Sequence, residues 1–341
     1  MASVLLIYTG GTIGMIENRE TGTLEAFDFN YLKEYLPEFA LLKFTIDCVQ
    51  CEPPIDSSDM DMEGWIRIVR IIQDNYSRYD GFVVLHGTDT MAYTASALSF
   101  MLENIDKPVI LTGSQLPIGQ LRTDAKENLI TALQIAVDKT PDGHSLAPEV
   151  CIFFQNDLMR GNRTTKVNAE NFNAFKSFNY PLLAKAGVHI KYESNLIIHP
   201  RIRRMPRFHY QLEPNVVILK LFPGISPEMV KSILNIPNLK GVVLETYGTG
   251  NAPNLAWFRQ AVKDAVERGI VIVNVTQCLV GTVEMERYNA GKILLEAGVV
   301  SGYNSTTEAA VTKLMFLLGQ GMTVQQVKEH LQCSLVGEID N

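Results

Sequence analysis

The 341-residue sequence lacks long apolar runs and any excess of positive charge. No stretch reaches the roughly 20 apolar residues that a helix needs to cross a bilayer, so we predict no membrane span. The net charge of −7 disfavours nucleic acid and anionic membranes as main partners, because both are themselves negatively charged. With 46% apolar and 20% charged residues, the composition is typical of a soluble globular protein.

Cysteine is scarce, and its spacing disfavours a disulfide or zinc framework. The five cysteines form an odd set without a repeated interval: Cys48, Cys51, Cys151, Cys278 and Cys333. Cys48 and Cys51 have the spacing of a zinc or redox pair, but no second pair completes a tetrahedral site. Residues three apart on a strand also face opposite sides, so we expect a structural pair and no metal. The first residues have neither a basic segment nor a signal-length apolar run, which predicts a cytoplasmic protein.

Short apolar runs alternate with amphipathic stretches, which is typical of α/β proteins. Five strands are expected in the first half: Val4–Thr9, Leu42–Val49, Gly81–His86, Pro108–Thr112 and Val150–Gln155. Three helices are expected between them: Asp59–Tyr76, Thr90–Leu102 and Asp124–Val137. Asp124 has the position of an N-cap, with Glu127 three residues later as its partner.

The same alternation restarts in the second half of the chain. Its expected strands are Val216–Leu221, Gly241–Thr246 and Ile270–Val275. Ser226 is the predicted N-cap of one helix, and Gly269 the predicted end of another. Ser305 and Glu308 have capping-box spacing before a third helix.

The length and the break in pattern predict two domains. At about 150 residues per domain, the chain is long enough for about two. We predict a catalytic α/β domain at 1–190, a linker at 191–214 and a smaller α/β domain at 215–341. Four arginines lie between residues 198 and 214. A nucleic-acid patch is one interpretation of them, and a solvated linker fits the acidic remainder of the chain better.

Loops beyond the carboxyl ends of strands are where open parallel sheets bind ligands. The first such loop reads Thr9-Gly10-Gly11-Thr12-Ile13-Gly14. Its glycines allow a close backbone approach and expose N–H donors, and its threonines offer a nucleophilic hydroxyl. It lacks the lysine of a P-loop and does not fit G-x-G-x-x-G. A structural turn, a phosphate site and a catalytic loop all stay open from this loop alone.

Three further polar clusters follow later strands. Asp56-Ser57-Ser58-Asp59 fits either helix capping or binding of a carboxylate at a helix N-terminus. His86-Gly87-Thr88-Asp89-Thr90 ends a strand, and His86 is expected to be a satisfied core histidine. The last cluster is Arg160-Gly161-Asn162-Arg163-Thr164-Thr165-Lys166. Held near Thr88 and Asp89, Lys166 would be partly desolvated, and a desolvated lysine can accept a proton.

Together these clusters resemble the bacterial-type L-asparaginases, most closely their cytoplasmic type I branch. The matching motifs of the first domain are Thr9–Gly14, Asp56–Met60, Leu85–Thr94, Leu111–Gln115 and Arg160–Lys166. The second domain adds Tyr247–Pro253 and Asn274–Cys278. The likeness runs over nearly the whole chain in the same order. It implies an α/β fold with a larger N-terminal flavodoxin-like parallel-sheet domain and a smaller C-terminal Rossmann-like domain.

The resemblance also implies hydrolysis of L-asparagine to L-aspartate and ammonia, with no cofactor. Thr12 carries over as the nucleophile, and Thr88, Asp89 and Lys166 carry over as the second catalytic set. The substrate-binding positions that carry over are Gly11, Asp56, Ser57, Ser58, Thr88, Asp89, Ser114 and Asn251. The family assembles as dimers or as homotetramers built from two dimers, in which Asn251 would reach the site from a neighbouring subunit.

Two positions depart from the family pattern. Thr23 stands where a lid tyrosine that assists the nucleophile is expected, so either another residue activates Thr12 or the lid is out of register. Glu245 stands where some type I relatives use an arginine to bind asparagine at an allosteric site. The rest of that site matches at Thr276, Gln277 and Cys278. Because a carboxylate repels the carboxylate of the effector, we predict that asparagine does not activate there.

Three alternatives stay open. A preference for glutamine over asparagine depends on one methylene, which is worth about 1–3 kcal/mol in a pocket. A non-catalytic amino-acid-binding module on the same fold would have no need of Thr12, Thr88 and Lys166. An amidotransferase subunit that supplies ammonia to mischarged tRNA would carry an extra N-terminal domain, whereas here the expected catalytic loop lies close to the first residue.

Overall fold

A computed structural model describes residues 1–17, 24–26, 36–199, 204–287 and 289–340. The chain forms two compact units, Met1–Tyr210 and Gln211–Asn341. The division lies inside the stretch 191–214 that the sequence indicates as a linker. Part of this stretch belongs to the first unit, because Arg207–Phe208 pairs with Leu102–Glu103.

An eight-stranded sheet forms the centre of the first unit. Its parallel strands are β1 (Ser3–Tyr8), β2 (Thr45–Gln50), β3 (Gly81–Leu85), β4 (Val109–Thr112) and β5 (Val150–Phe154). They pair in the order β2-β1-β3-β4-β5, which is the flavodoxin-like order with its switch point between β1 and β3. Three antiparallel strands extend the sheet beyond β5: β6 (Asp157–Arg160), β7 (Ala184–Ala186) and β8 (Ile190–Tyr192). The predicted flavodoxin-like first domain is confirmed.

The strands of this sheet differ in burial according to their place in it. The residues of β3, β4 and β5 are all buried, which is the pattern of parallel strands covered on both faces. Strand β2 lies at an edge and is largely exposed. It begins at Thr45 rather than at the predicted Leu42, because a 3₁₀ turn over Pro37–Leu41 precedes it.

The three predicted helices of the first unit are present. They are α1 (Met62–Asn75), α2 (Met91–Met101) and α3 (Ala125–Val137). The helical spacing in α1 is confirmed by the burial of Trp65, Ile68, Val69 and Ile72. Asp124 is the N-cap residue of α3, as predicted, but its side chain makes no capping hydrogen bond. Its carboxylate accepts instead from the N–H groups of Gln115 and Leu116.

The second unit is a smaller α/β domain, as predicted. Its strands β9 (Val216–Lys220), β10 (Gly241–Thr246), β11 (Val271–Thr276) and β12 (Val300–Ser301) pair in parallel in chain order. Its helices are α4 (Pro227–Leu234), α5 (Ala256–Glu267), α6 (Asn289–Glu296), α7 (Thr307–Gly319) and α8 (Val324–Leu331). Helices α4 and α5 pack against each other, and α7 packs on β9 and β10.

The helix ends of the second unit test the capping predictions. Ser226 caps α4, and Gly269 follows α5 with a φ of +88°, as predicted. The capping box predicted at Ser305 is wrong, because Thr306 is the N-cap of α7. A complete capping box begins α8 instead, with Thr323 as its N-cap.

A buried ion pair attaches the C-terminal segment to α7. Lys313 Nζ lies 2.6 Å from Glu338 Oε1, and both side chains are almost fully buried. Lys313 also donates to the carbonyls of Leu331 and Cys333. Burial lowers the pKa of the Lys313 ammonium. Because a buried charge without its partner is costly, this pair ties residues 331–338 to the body of the second unit.

The cysteine pair has the arrangement expected of a strand. Cys48 in β2 is exposed, whereas Cys51 just beyond it is buried, and burial raises the pKa of the Cys51 thiol. Across the described ranges, no cluster of His, Cys, Asp and Glu side chains could hold a metal ion. None of the helices described in those ranges is long and apolar enough to span a membrane.

A buried chain of hydrogen bonds joins α1, α2 and the end of β3. Trp65 Nε1 donates to Thr94 Oγ1 at 3.0 Å. His86 Nδ1 lies 2.7 Å from the Gly87 carbonyl, which can only accept, so Nδ1 carries the proton. Nε2 then accepts from the Thr94 hydroxyl at 2.9 Å. His86 is thus the satisfied core histidine that the sequence indicates, and burial lowers its pKa to about 4.

This neutral, buried His86 predicts an acid-sensitive stability. As the pH falls from about 6.5, the unfolded chain gains a proton on this histidine, and the folded chain does so only near pH 4. The free energy of unfolding should therefore fall by up to about 3 kcal/mol across this window. Urea unfolding at several pH values measures the loss. His86→Gln should remove this part of the pH dependence, and His189→Gln, at an exposed site, should retain it. If the free energy of unfolding depended on pH equally in the wild type and both variants, His86 would not be the source of this acid sensitivity.

Candidate active site

Two glycine loops meet at the carboxyl ends of the neighbouring strands β1 and β3. Gly11, in the loop after β1, has a φ of +91°, and a Cβ there would lie 2.5 Å from Gly87 Cα. Gly10 has a φ of +140°, and a Cβ on it would lie 2.1 Å from the Ile55 carbonyl oxygen. Since a side chain fits at neither position, both glycines are required by backbone contact.

The structure distinguishes the two threonines of the first loop. Thr9 is buried and its hydroxyl donates to the Leu85 carbonyl at 2.9 Å, which ties the loop to β3. Thr12 begins a 3₁₀ turn over Thr12–Gly14 and is half-buried. Its hydroxyl makes no hydrogen bond to any residue that the structure describes. Thr9 is therefore structural, whereas Thr12 Oγ1 is available to a ligand.

Tyr8 is the tyrosine nearest in sequence to this loop. Its hydroxyl lies 3.2 Å from the Gly14 carbonyl, to which it donates. Burial raises the pKa of Tyr8 to about 12, so the phenol stays protonated at neutral pH and does not serve as a base. The strand Met15–Glu17 pairs with Leu24–Ala26 across the lid. Thr23, where the family tyrosine is expected, lies outside the described residues.

The Asp56–Asp59 loop is attached to the β3 loop. Asp56 caps the 3₁₀ turn over Ser57–Asp59, so the capping interpretation is correct for this residue. Its Oδ1 accepts from both the N–H and the hydroxyl of Ser58 at 2.9 Å, and these bonds lower the pKa of Asp56. The Ser57 carbonyl accepts from Thr90 Oγ1 at 2.6 Å. A Cβ on Gly87 would lie 2.4 Å from Ser57 Oγ, so the two loops are in contact.

Lys166 lies against the two residues with which the sequence pairs it. Its Nζ lies 2.8 Å from Thr88 Oγ1 and 2.6 Å from Asp89 Oδ1. The Lys166 side chain is 17% exposed and that of Asp89 is 68% exposed. Lys166 ends the short strand Thr165–Lys166, which pairs with Phe175–Lys176 and forms a hairpin. A hydroxyl, a cation and an accessible carboxylate thus converge at the β3 loop.

The remaining residues of the Arg160–Lys166 cluster hold the hairpin in place. Arg160 is buried and binds Glu149 with two nitrogens, at 2.7 and 3.3 Å. Its guanidinium stacks over the Tyr180 ring at 4.3 Å. Arg163, fully buried, lies 5.2 Å from the same ring. The cluster therefore divides into structural arginines and one lysine at the site.

Gln115, the residue after the predicted Ser114, contacts Thr88. The Ser114 hydroxyl donates to the Leu116 carbonyl at 2.6 Å, so it is occupied within its own loop. Gln115 Oε1 accepts from Thr88 Oγ1 at 3.3 Å. The motif Leu111–Gln115 contains this glutamine, but its sequence gives no signal that sets it apart from the serine.

The predicted positions of the second unit form hydrogen bonds of their own. Asn251 closes a turn after β10 through two backbone bonds with Tyr247. Glu245 accepts from Thr307 Oγ1 at 2.6 Å and lies 3.3 Å from Lys220 Nζ. The predicted allosteric set also includes three residues at the end of β11. Thr276 is the last residue of the strand, and Gln277 and Cys278 follow it.

Among the Thr276–Cys278 residues, the hydrogen bonds are also internal to the unit. Thr276 Oγ1 donates to the Gly248 carbonyl at 2.5 Å. Gln277 Nε2 donates to the Glu245 carbonyl at 2.9 Å. Cys278 is exposed.

Comparison with known proteins identifies the family of the chain. Residues 3–198 match the family model described as Asparaginase, N-terminal, and residues 215–331 match the Glutaminase/Asparaginase C-terminal domain. L-asparaginase 1 of Escherichia coli K12 is 42% identical over 354 residues, covering 99% of this chain and 98% of that protein. The structure of L-asparaginase I from Vibrio cholerae matches with a TM-score of 0.90 and 40% identity, covering 100% of this chain and 99% of that one.

A relative with another name covers the same region. The 60 kDa lysophospholipase of Mus musculus is 43% identical over 358 residues. The match covers 98% of this chain, and the chain spans only 62% of the length of that protein. Both family models and the full-length relatives lead to one conclusion: the chain belongs to the asparaginase family.

Proposed function

We propose that the chain hydrolyses L-asparagine to L-aspartate and ammonia. The observation that carries the proposal is the contact of Lys166 Nζ with both Thr88 Oγ1 and Asp89 Oδ1. Thr88 and Asp89 follow Gly87, whose backbone contacts Gly11 of the Thr12 loop. The full-length relatives named L-asparaginase support the same activity.

The proposed reaction has two half-reactions with Thr12 as the nucleophile. Thr12 Oγ1 attacks the side-chain amide carbon, the C–N bond breaks, and the nitrogen leaves as ammonia with the proton of the hydroxyl. Water then attacks the threonyl ester, which releases aspartate and returns a proton to Thr12. A threonine hydroxyl is a weak nucleophile until a base accepts its proton. Thr88, Asp89 and Lys166 are the proposed second catalytic set, whose part is to accept that proton.

The substrate has complementary partners around this hydroxyl. The exposed carboxylate of Asp89 would hold the α-ammonium, and Ser57 and Ser58 would hold the α-carboxylate. The backbone N–H groups around Gly11 and Asp89 would stabilise the oxyanion, because fixed dipoles need no rearrangement as the charge develops. Asp56 would position Ser58 through the hydrogen bonds that it accepts from that residue. Ser114 would stabilise its own loop through the bond that it donates to the Leu116 carbonyl.

The assembly and the location belong to the same proposal. We infer a homo-oligomer, a dimer or a homotetramer, in which Asn251 of one copy completes the site of another. A cytoplasmic location is supported by the five cysteines, which form no disulfide with one another and of which three are exposed, because exposed thiols persist in a reducing compartment. The reaction as proposed needs no cofactor.

Two variants test the mechanism. Thr12→Ala and Thr88→Ala should each lower kcat for ammonia release from L-asparagine by about 10³-fold or more, as loss of a nucleophile or of a member of its proton-accepting set does. Thr45→Ala, which alters an exposed threonine at the start of β2, should leave kcat unchanged. Full activity in Thr12→Ala would contradict the mechanism.

The same assay tests the alternatives. Ammonia release from L-glutamine, measured in parallel, gives the preference between the two amides. An inactive wild type that still binds amino acids would favour the binding-module alternative.

A second prediction concerns regulation. Glu245 contacts Lys220 and Thr307, and as a carboxylate it repels the carboxylate of an effector. The initial rate should rise hyperbolically with the concentration of asparagine. Strong sigmoidality that a Cys278→Ala variant abolishes would refute this.

A further inference from the structure

The side chain of Gln115 lies between the Thr88 hydroxyl and the hairpin that carries Lys166. Its Oε1 is 3.3 Å from Thr88 Oγ1, and its Nε2 is 3.1 Å from the Asn171 carbonyl oxygen. Asn171 belongs to the turn between the paired strands Thr165–Lys166 and Phe175–Lys176. One hairpin therefore holds the Thr88 hydroxyl from two directions, directly through Lys166 and indirectly through Gln115.

The chemistry of the partners fixes the direction of every bond in this chain. A peptide carbonyl has no proton to donate, so the NH₂ group of Gln115 must face Asn171. The amide oxygen of Gln115 must then face Thr88, and it can only accept. The hydroxyl proton of Thr88 is consequently directed at Gln115. Lys166 Nζ, 2.8 Å away, donates to a lone pair of the same oxygen.

This arrangement leaves Thr88 Oγ1 with one unused lone pair. A hydroxyl has one proton and two lone pairs, and Gln115 and Lys166 use the proton and one pair. Among the described residues, no further donor lies within hydrogen-bond distance of this oxygen. Without Gln115 the hydroxyl could rotate, because Lys166 would be the one remaining constraint.

The backbone of Gln115 is itself held by a buried carboxylate. Its N–H lies 3.1 Å from both oxygens of Asp124, and the Leu116 N–H lies 3.2 Å from one of them. Asp124 is buried and also accepts from Asn128 Nδ2. Asn128 Nδ2 donates to the Gly113 carbonyl at 2.9 Å as well. The Asp124 side chain makes no capping hydrogen bond to α3 and instead fixes the loop that presents Gln115.

We propose that Gln115 is a positioning residue for the reaction, which holds the hydroxyl proton of Thr88 so that an oxygen lone pair stays open toward the substrate. The inference rests on the proposed function, because it gives Thr88 a part in the chemistry. Gln115 acts through Thr88 and is not itself a catalytic residue. Its loss should lower kcat more than it changes KM.

Two substitutions at this position separate orientation from packing. Gln115→Met keeps the length of the side chain and removes both bonds, so kcat should fall about tenfold, as expected for one neutral hydrogen bond. In Gln115→Glu, the protonated carboxyl can accept from Thr88 and donate to Asn171, whereas the ionised form has no proton for that carbonyl. The ratio of its kcat to that of the wild type should therefore rise as the pH falls from 8 to 5.

Charged side chains of the neighbouring loops affect the ionisation of the introduced carboxyl. Lys166 lies on the far side of Thr88 and favours the ionised form, whereas Asp89 and Asp124 favour the protonated form. Gln120→Glu makes the same change at an exposed position of the same loop, and its kcat ratio should stay near 1 at every pH. Thermal unfolding of each variant verifies that it is folded.

The outcomes distinguish the two proposals. An unchanged kcat in Gln115→Met, or a flat pH ratio in Gln115→Glu, would overturn the positioning role while the wild type still hydrolyses asparagine. A loss of thermal stability that matches the loss of activity in both variants, equal at every pH, would mean a packing role and would also overturn it. A folded wild type without activity toward asparagine would overturn both proposals.

Discussion

The contact between Gly11 and Gly87 is the constraint on which the rest of the site depends. The two loops follow neighbouring parallel strands, and a β-carbon at Gly11 would collide with the opposite backbone. The sheet thus brings the loop of Thr12, the proposed nucleophile, into direct backbone contact with the loop after β3. A third loop joins through Ser57, which packs on Gly87 from the other side.

Directed hydrogen bonds, rather than many charges, orient this edge of the sheet. His86 is neutral and bonded at both ring nitrogens, so its ring can take one orientation only. The buried carboxylate of Asp124 accepts hydrogen bonds from the backbone N–H groups of Gln115 and Leu116. Arg160 and Glu149 fix the base of the hairpin that carries Lys166. The exposed carboxylates of these loops include Asp56 and Asp89, and Lys166 lies against Asp89.

Much of this arrangement could be predicted from sequence, because strand ends and glycine pairs leave local signals. The strands of the first sheet, the four polar clusters and the core role of His86 follow from such signals. What could not be predicted depends on tertiary partners. Thr9 and Thr12 differ only in what their hydroxyls meet, and Gln115 is distinguished from Ser114 by a residue 27 positions away. Asp124 and Ser305 show that a capping pattern locates a helix start more reliably than it identifies the bonds made there.

The hairpin over residues 165–176 places the cation and the carbonyl that restrain Thr88 on one small element. Two restraints on separate elements would loosen independently as the protein warms. Two restraints on one hairpin are lost together if that hairpin opens, so a local opening of residues 165–176 would release the Thr88 hydroxyl while both units are still folded.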